Sequence, residues 1–148
     1  MTEAVSGRQP LHGTAVACWT PGVGWRAVLI TGAPGAGKSD LALRLVGRGW
    51  RLVADDYAYV TASGGVLYAI APGTIAGRME ARGVGVVPAL ARGLTRLSLV
   101  VDLDGDGPVE RLPEPARRVI EGVALPALRL NGFEASAVEK VAAALARL

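Results

Sequence analysis

The sequence has very little of the chemistry that builds disulfide-linked, zinc-binding or membrane-spanning proteins. Cys18 is its single cysteine and His12 its single histidine. One thiol excludes an intramolecular disulfide, and a zinc site of the usual ligands would have to be completed by carboxylates. No apolar run reaches the ~18 residues of a membrane span, and residues 1–10 are polar where a secretory signal is apolar. We therefore expect a cytoplasmic protein that does not bind membranes.

The sequence also lacks a concentrated basic patch. The net charge is +3, and 14 of the 16 cationic residues are arginines scattered from Arg8 to Arg147. A nucleic-acid-binding surface gathers its positive charge on one face or one helix. We therefore do not expect nucleic acid as a partner.

What the sequence does have is enough apolar surface for one self-supporting domain. Its 148 residues are 51% hydrophobic, with 20 glycines and nine prolines. This length is typical of a single domain, and the glycine and proline content favours many turns and short elements over a helical bundle. We expect residues 1–11 to form a flexible N-terminal lead-in and residues 12–148 a single α/β domain, with a mixed β-sheet flanked by helices.

Hydrophobic patterning predicts the elements of this domain. Strands are expected over residues 13–19, 26–31, 50–54 and 97–103, and a hairpin over residues 57–61 and 66–70. Helices are expected directly after Ser39 and over residues 134–148. Residues 75–82 are ambiguous, and residues 83–88 fit either a glycine-rich strand or a loop.

A phosphate-binding loop (P-loop) is the most specific motif. The pattern G-x-x-x-x-G-K-[S/T] is matched in full by Gly32, Ala33, Pro34, Gly35, Ala36, Gly37, Lys38 and Ser39. It stands between a predicted strand and a predicted helix, which is the required context. Backbone N–H groups and the helix N-terminus then face phosphate oxygens, while Lys38 neutralises their charge and Ser39 ligates Mg²⁺. The alternative is a tight turn without a ligand.

A pair of carboxylates follows the P-loop. Asp55 and Asp56 come 17 and 18 residues after Lys38, at the end of the next predicted strand. Ligands gather at this edge of an α/β sheet, so one carboxylate can face a metal and the other the acceptor that loses a proton. The alternative is a solvated turn. Further along, Glu80 has the chemistry of a Mg²⁺ ligand, and Arg82 can stabilise charge on a transferring phosphoryl group.

One segment imitates a calcium-binding loop. Asp102, Asp104 and Asp106 have the spacing with which such a loop begins. The twelfth position is Pro113 instead of a glutamate, and the preceding residues are predicted to form a strand instead of a helix. A solvated turn is therefore the better interpretation.

Four segments, taken in order, resemble the bacterial HPr kinase/phosphorylase family. They are residues 12–14 (His-Gly-Thr), the P-loop, residues 48–56 (Arg-Gly-Trp-Arg-Leu-Val-Ala-Asp-Asp), and residues 79–86 (Met-Glu-Ala-Arg-Gly-Val-Gly-Val). The last segment is similar to the E-x-R-G-[hydrophobic]-G signature of that family. The resemblance covers roughly residues 12–103 and implies a fold related to the family's catalytic domain and to the nucleotide-binding part of phosphoenolpyruvate carboxykinase.

The resemblance also implies a reaction and its residues. The reaction is ATP- and Mg²⁺-dependent phosphorylation of a serine in an HPr-like phosphocarrier protein. Ser39 and Glu80 hold Mg²⁺ with Asp55, Asp56 accepts the hydroxyl proton, and His12 is the histidine that precedes the P-loop. The implied catalytic set is His12, Lys38, Asp55, Asp56 and Arg82, and the implied assembly is a homo-oligomer, by family resemblance a hexamer.

The sequence departs from the family pattern at both ends. It resembles a short form that has only the catalytic domain, and the segments that carry later family arginines are reduced to residues 104–113 and 125–131. These departures argue against phosphorylase activity. Two other functions stay open at this point: a nucleotide-binding regulatory module without turnover, and a P-loop kinase for a small molecule.

Overall fold

The computed structural model describes residues 10–105 and 107–148. The two helices in this part of the chain are α1 (Lys38–Val46) and α2 (Ala137–Ala146). Its strands are β1 (Leu11–His12), β2 (Thr14–Thr20), β3 (Gly24–Thr31), β4 (Arg51–Ala54), β5 (Tyr57–Ser63), β6 (Val66–Ile70), β7 (Arg78–Ala81), β8 (Gly85–Pro88), β9 (Thr95–Asp102), β10 (Ala116–Ile120) and β11 (Val123–Arg129).

Nine of these strands form one mixed sheet. Seven follow the order β1-β5-β6-β9-β3-β2-β4, while β11 joins β9 and β10 lies outside β11. Strand β6 pairs with the first half of β9, through Thr95 to Leu97, and β11 pairs with the second half, from Val100 onward. The sheet therefore divides at β9. The hairpin of β7 and β8 is a separate two-stranded sheet.

Strand direction brings the chain's polar motifs to one edge of the sheet. Strands β3, β9 and β11 are parallel neighbours. Strand β4 is antiparallel to β2, which is itself antiparallel to β3, so β4 runs in the same direction as β3. The carboxyl ends of β3, β4, β9 and β11 therefore meet at one edge, where β2 begins. Ligands of α/β sheets bind at this kind of edge.

The sheet is buried on both faces. Val28 and Ile30 of β3 belong to a core that is shared with both helices. Ala27 and Leu29 point to the opposite face and belong to a second core, which is formed with residues of other strands because the sheet is curled. Alternate residues of a strand point to opposite faces, so β3 must be apolar along its whole length. This explains why the strand before the P-loop reads as a continuous hydrophobic run.

The predicted α/β fold is confirmed, with differences near the C-terminus. Helix α2 begins at Ala137, three residues later than predicted, and neither β10 nor β11 was predicted. Strand β10 exposes all its residues except Ile120, so it carries no alternating pattern. Strand β11 contains Pro126, a residue that normally argues against an internal strand.

The ambiguous segments also take definite forms. Residues 78–88 form the β7–β8 hairpin. Leu11 differs from the predicted lead-in, because it forms part of β1 and pairs with Ala58 of β5. Residues 1–9 of the predicted lead-in lie outside the described residues, as does Asp106 of the calcium-like pattern. No helix in the described part of the chain is long and apolar enough to span a membrane.

Candidate active site

The P-loop lies between β3 and α1 and leaves the start of the helix open. Gly35 and Gly37 have φ angles of 86° and 98°, a region that favours glycine. No side chain caps the N-terminus of α1, so its first N–H groups are available to an anion. Lys38 is 7% exposed, and its Nζ donates to the carbonyl oxygens of Gly32 at 2.6 Å and Ala33 at 3.2 Å. The loop thus holds its own cation in place.

Asp55 connects the P-loop to two other parts of the site. Its Oδ1 accepts hydrogen bonds from Ser39 Oγ at 2.7 Å and Thr14 Oγ1 at 3.1 Å. Its Oδ2 accepts the backbone N–H of Glu80 at 2.9 Å. This carboxylate is buried, with 7% of the residue exposed. A buried charge with three donors is held in one orientation.

Asp56 points the other way, into solvent, and its backbone is strained. Its φ is +69°, which is uncommon for any residue except glycine. The backbone is fixed there because Gly13 N–H donates to its carbonyl and its own N–H donates to Thr14 Oγ1. Its Oδ1 lies 3.0 Å from Nε2 of His12, and both side chains are substantially exposed. Strain of this kind is concentrated at functional sites.

Glu80 and Arg82 lie on and just beyond β7, and their side chains are exposed. The hairpin is anchored by Met79, which is 2% exposed and packs in the core shared with the helices, and by buried Ala81. The backbone of Glu80 contacts Asp55, so its carboxylate begins beside the site. Within the described residues, the structure shows no hydrogen bond or ion pair that joins the Arg82 side chain to the other predicted residues.

Two residues at this edge were not predicted to act in the site. Thr14 is fully buried and bonds both to the Asp55 carboxylate and to the Asp56 backbone. Asp104 follows β9, and its Oδ1 accepts the N–H of Ala33 in the P-loop at 2.7 Å. Thr14 belongs to the His-Gly-Thr segment of residues 12–14, and Asp104 belongs to the calcium-like pattern. The sequence signal for both residues was their position beside a predicted strand, since Thr14 begins β2 and Asp104 follows β9.

The oxygen donors at this edge fit a hard cation such as Mg²⁺. No group of three or more His, Cys, Asp or Glu side chains in the described residues forms a preassembled metal cluster. Mg²⁺ is usually held by one or two carboxylates together with substrate phosphates and water. The Ser39 hydroxyl and the Asp55 carboxylate are already in contact, and Glu80 is the next acidic residue. The donor set therefore fits Mg²⁺ bound together with a nucleotide.

The only thiol of the chain is unsuited to catalysis here. Burial raises the pKa of Cys18, against a smaller opposing effect of the Arg26 guanidinium. Cys18 is opposite Arg26 in the β2–β3 pair, several residues along β2 from Thr14. A thiol with a raised pKa and no place at the site is not a nucleophile for this chemistry.

Several known proteins are similar to this chain in sequence. The model of the HPr Serine kinase C-terminal domain matches residues 3–131. A protein of Geobacillus sp. named HPr kinase/phosphorylase is 43% identical over 102 residues, which is 64% of this chain and 31% of that protein. One of the same name from Clostridium tetani is 36% identical over 114 residues, 77% of this chain and 35% of that protein.

The fold has a solved counterpart. The solved structure of the Hpr(Ser) kinase/phosphatase from Coxiella burnetii superposes on this chain with a TM-score of 0.79. The two are 21% identical in sequence, and the match covers 95% of both chains. The chain spans about a third of the length of the curated relatives that it matches. The family model covers most of the chain, from residue 3 to residue 131. The chain therefore belongs to the HPr serine kinase C-terminal domain family.

Proposed function

We propose that this chain transfers the γ-phosphoryl group of ATP, with Mg²⁺, to a serine hydroxyl of an HPr-like phosphocarrier protein. The observation that carries the proposal is the pair of adjacent carboxylates at the P-loop edge. Asp55 is buried and bonded to Ser39 of the loop, whereas Asp56 is exposed beside His12. A buried carboxylate suits the metal, and an exposed one suits a proton acceptor that must meet a protein substrate.

The P-loop side of the site would bind the phosphates. Lys38 is held within the loop by two carbonyl oxygens and can exchange these contacts for phosphate oxygens. The open N-terminus of α1 adds backbone N–H donors. Ser39, Asp55 and Glu80 would hold Mg²⁺, which when bound neutralises charge on the phosphates. These residues account for binding and charge neutralisation, the main needs of phosphoryl transfer.

The acceptor side would activate the serine. Asp56 accepts the proton of the serine hydroxyl, the serine oxygen forms a bond to phosphorus, and the bond between the β- and γ-phosphates breaks to release ADP. His12 positions the Asp56 carboxylate through the 3.0 Å contact. Arg82, on the exposed hairpin, would stabilise negative charge on the phosphoryl group during transfer. All these roles are proposals for this chain.

The identity of the acceptor is proposed from the names of the relatives. Two relatives are named HPr kinase/phosphorylase, and the matched family model carries HPr serine kinase in its description. We expect the protein to act in the cytoplasm. We also expect it to form a homo-oligomer, and light scattering tests this assembly. The proposed direction of the reaction is phosphorylation, without phosphorylase activity.

Mass spectrometry of the acceptor tests the proposal. The purified chain is incubated with ATP, Mg²⁺ and an HPr-like carrier, in parallel with a carrier whose acceptor serine is replaced by alanine. We expect one added phosphoryl group on the serine carrier and none on the alanine carrier. Binding of ATP without transfer to any phosphocarrier would instead favour a regulatory module, and transfer to a small molecule would favour the other kinase class.

A further inference from the structure

A cavity opens directly beside the P-loop, on the side away from Asp55 and Asp56. Its volume is about 1010 Å³, and Ala36 of the P-loop forms part of its wall. The remaining wall comes from residues 103, 105 and 107–113 after β9, the end of β11, residues 131–134 and one side of α2. Ligand cavities of this size accept a molecule as large as a nucleoside.

Phe133 is the aromatic residue of this cavity, and it lies against the P-loop. A Cβ atom added to Gly37 would stand 3.1 Å from the Phe133 ring, which is tighter than nine in ten Cβ contacts in proteins. The ring and the last glycine of the P-loop are therefore in direct contact. Phe133 is nevertheless 66% exposed, because the cavity leaves its other surface open. An exposed aromatic ring in a cavity wall next to a polar site indicates a ligand surface.

The position of this ring is fixed relative to the P-loop. Arg44 of α1 donates to the carbonyl oxygens of Gly132 and Glu134, the residues on either side of Phe133. The N–H of Phe133 donates to Asn131 Oδ1 at 3.0 Å, which shapes the turn. Because α1 also begins with Lys38, one helix holds both the phosphate-binding group and the segment that carries the ring. The ring is preorganised for a ligand that reaches both.

We propose that the base of the nucleoside triphosphate stacks on Phe133 within this cavity. This inference rests on the proposed function, because it assumes that the triphosphate binds the P-loop. The cavity shares Ala36 with that loop, so a nucleoside that continues from the phosphates enters it directly. Aromatic rings stack on any base, so the platform supplies affinity for a nucleoside with little preference among bases.

Calorimetry with two ligands separates this contact from phosphate binding. Titrations of ATP and of inorganic tripolyphosphate, both with Mg²⁺, compare the wild-type chain with Phe133→Ala and Phe133→Tyr. Loss of a stacking partner raises the Kd for ATP in Phe133→Ala by about tenfold or more. The Kd for tripolyphosphate stays within about twofold, and Phe133→Tyr binds ATP like the wild type. Trp19→Ala, which removes an aromatic residue of similar exposure in the β2–β3 hairpin, serves as the matched control.

Photolabelling of the wild-type chain tests the contact without a substitution. After labelling with 8-azido-ATP and trypsin digestion, we expect the label in the peptide of residues 130–140, which contains Phe133. Labelling confined to other peptides would overturn the inference, as would equal ATP affinity in Phe133→Ala and the wild type. A wild-type chain that binds neither ATP nor tripolyphosphate would overturn the proposed function, and the base contact with it.

Discussion

The P-loop edge and the β7–β8 hairpin contribute to the same candidate site but are built differently. At the P-loop edge, Lys38, Asp55 and Thr14 are buried and hydrogen-bonded before any ligand arrives. On the hairpin, Glu80 and Arg82 are exposed. The first region is preorganised, whereas the charged side chains of the second extend from an exposed hairpin and would contact the substrates only in the proposed complex. Preorganised dipoles and charges contribute most to phosphoryl transfer.

One hydrogen bond joins the two regions at the site. The N–H of Glu80 donates to Asp55 Oδ2, while Ser39 and Thr14 occupy Oδ1. Asp55 therefore aligns the hairpin with the P-loop, in addition to its proposed role at the metal. We expect substitutions at the buried P-loop edge to lower both stability and activity, and substitutions of the exposed hairpin side chains to lower activity alone.

Replacement of Asp55 should have the largest effect, because it disturbs both regions. In Asp55→Ala the buried Thr14 hydroxyl, the Ser39 hydroxyl and the Glu80 N–H lose their shared acceptor. We expect the free energy of unfolding to fall by about 2–4 kcal/mol and phosphoryl transfer to fall by at least about 10³-fold. Urea denaturation and a transfer assay measure the two effects.

Glu139→Ala is the matched control for Asp55→Ala. Glu139 is an exposed acidic residue of α2 that pairs with Arg48 at 2.7 Å. Exposed ion pairs contribute little, so we expect a change of no more than about 0.5 kcal/mol and normal transfer. Equal losses of stability in the two variants would contradict the view that Asp55 organises the site.

Asp56→Gly should separate activity from stability. Glycine adopts the +69° φ of this position without strain, so the variant should be more stable by up to about 1 kcal/mol. Loss of the proton acceptor should lower transfer by about 10²- to 10⁴-fold. Thermal unfolding and single-turnover kinetics are the measurements.

Glu121→Gly provides the matching substitution outside the site. Glu121 has a φ of +49° in the turn between β10 and β11. We expect a similar gain in stability with unchanged transfer. If Asp56→Gly kept full activity, Asp56 would not be the acceptor of the hydroxyl proton.

Arg82→Ala should have the smallest effect of the three on the transfer rate and almost none on stability. Arg82 is exposed, so the free energy of unfolding should change by less than about 0.5 kcal/mol. Transfer should fall by about 10²-fold, because the proposed charge stabilisation is lost. Arg96→Ala, an exposed arginine near the start of β9, should leave transfer unchanged. Equal rates in the two variants would remove Arg82 from the site.

The parts of the site that could be predicted are those encoded by contiguous residues. The P-loop is one uninterrupted motif, and the run of apolar residues before Asp55 indicated the end of a strand. Thr14 contacts Asp55, 41 positions away, and Asp104 contacts Ala33, 71 positions away. Local sequence patterns do not indicate contacts between residues so far apart in the chain. Asp55 lies at the P-loop edge because β4 runs in the same direction as β3.

The β10–β11 hairpin could not be predicted for a different physical reason. Its outer strand is almost fully exposed and includes two adjacent arginines, so burial imposes no period on its sequence. Pro126 also lacks the N–H that an internal strand normally uses. The pairing of β11 with β9 begins only at Ala127, one residue after the proline. Tertiary pairing thus overrides local preference at this position.

The central claim is that this chain transfers a phosphoryl group from ATP through its P-loop. A comparison of phosphoryl transfer by Lys38→Ala and Arg48→Ala tests it most directly. Lys38 begins α1 at the P-loop, whereas Arg48 lies just beyond the other end of that helix and is exposed. Single-turnover transfer from γ-labelled ATP to the serine of an HPr-like carrier is followed for both variants and the wild type. We expect transfer by the wild type and Arg48→Ala at equal rates and at least about 10³-fold slower transfer by Lys38→Ala. Equal transfer by Lys38→Ala and the wild type, or none by the wild type, would contradict the proposed kinase.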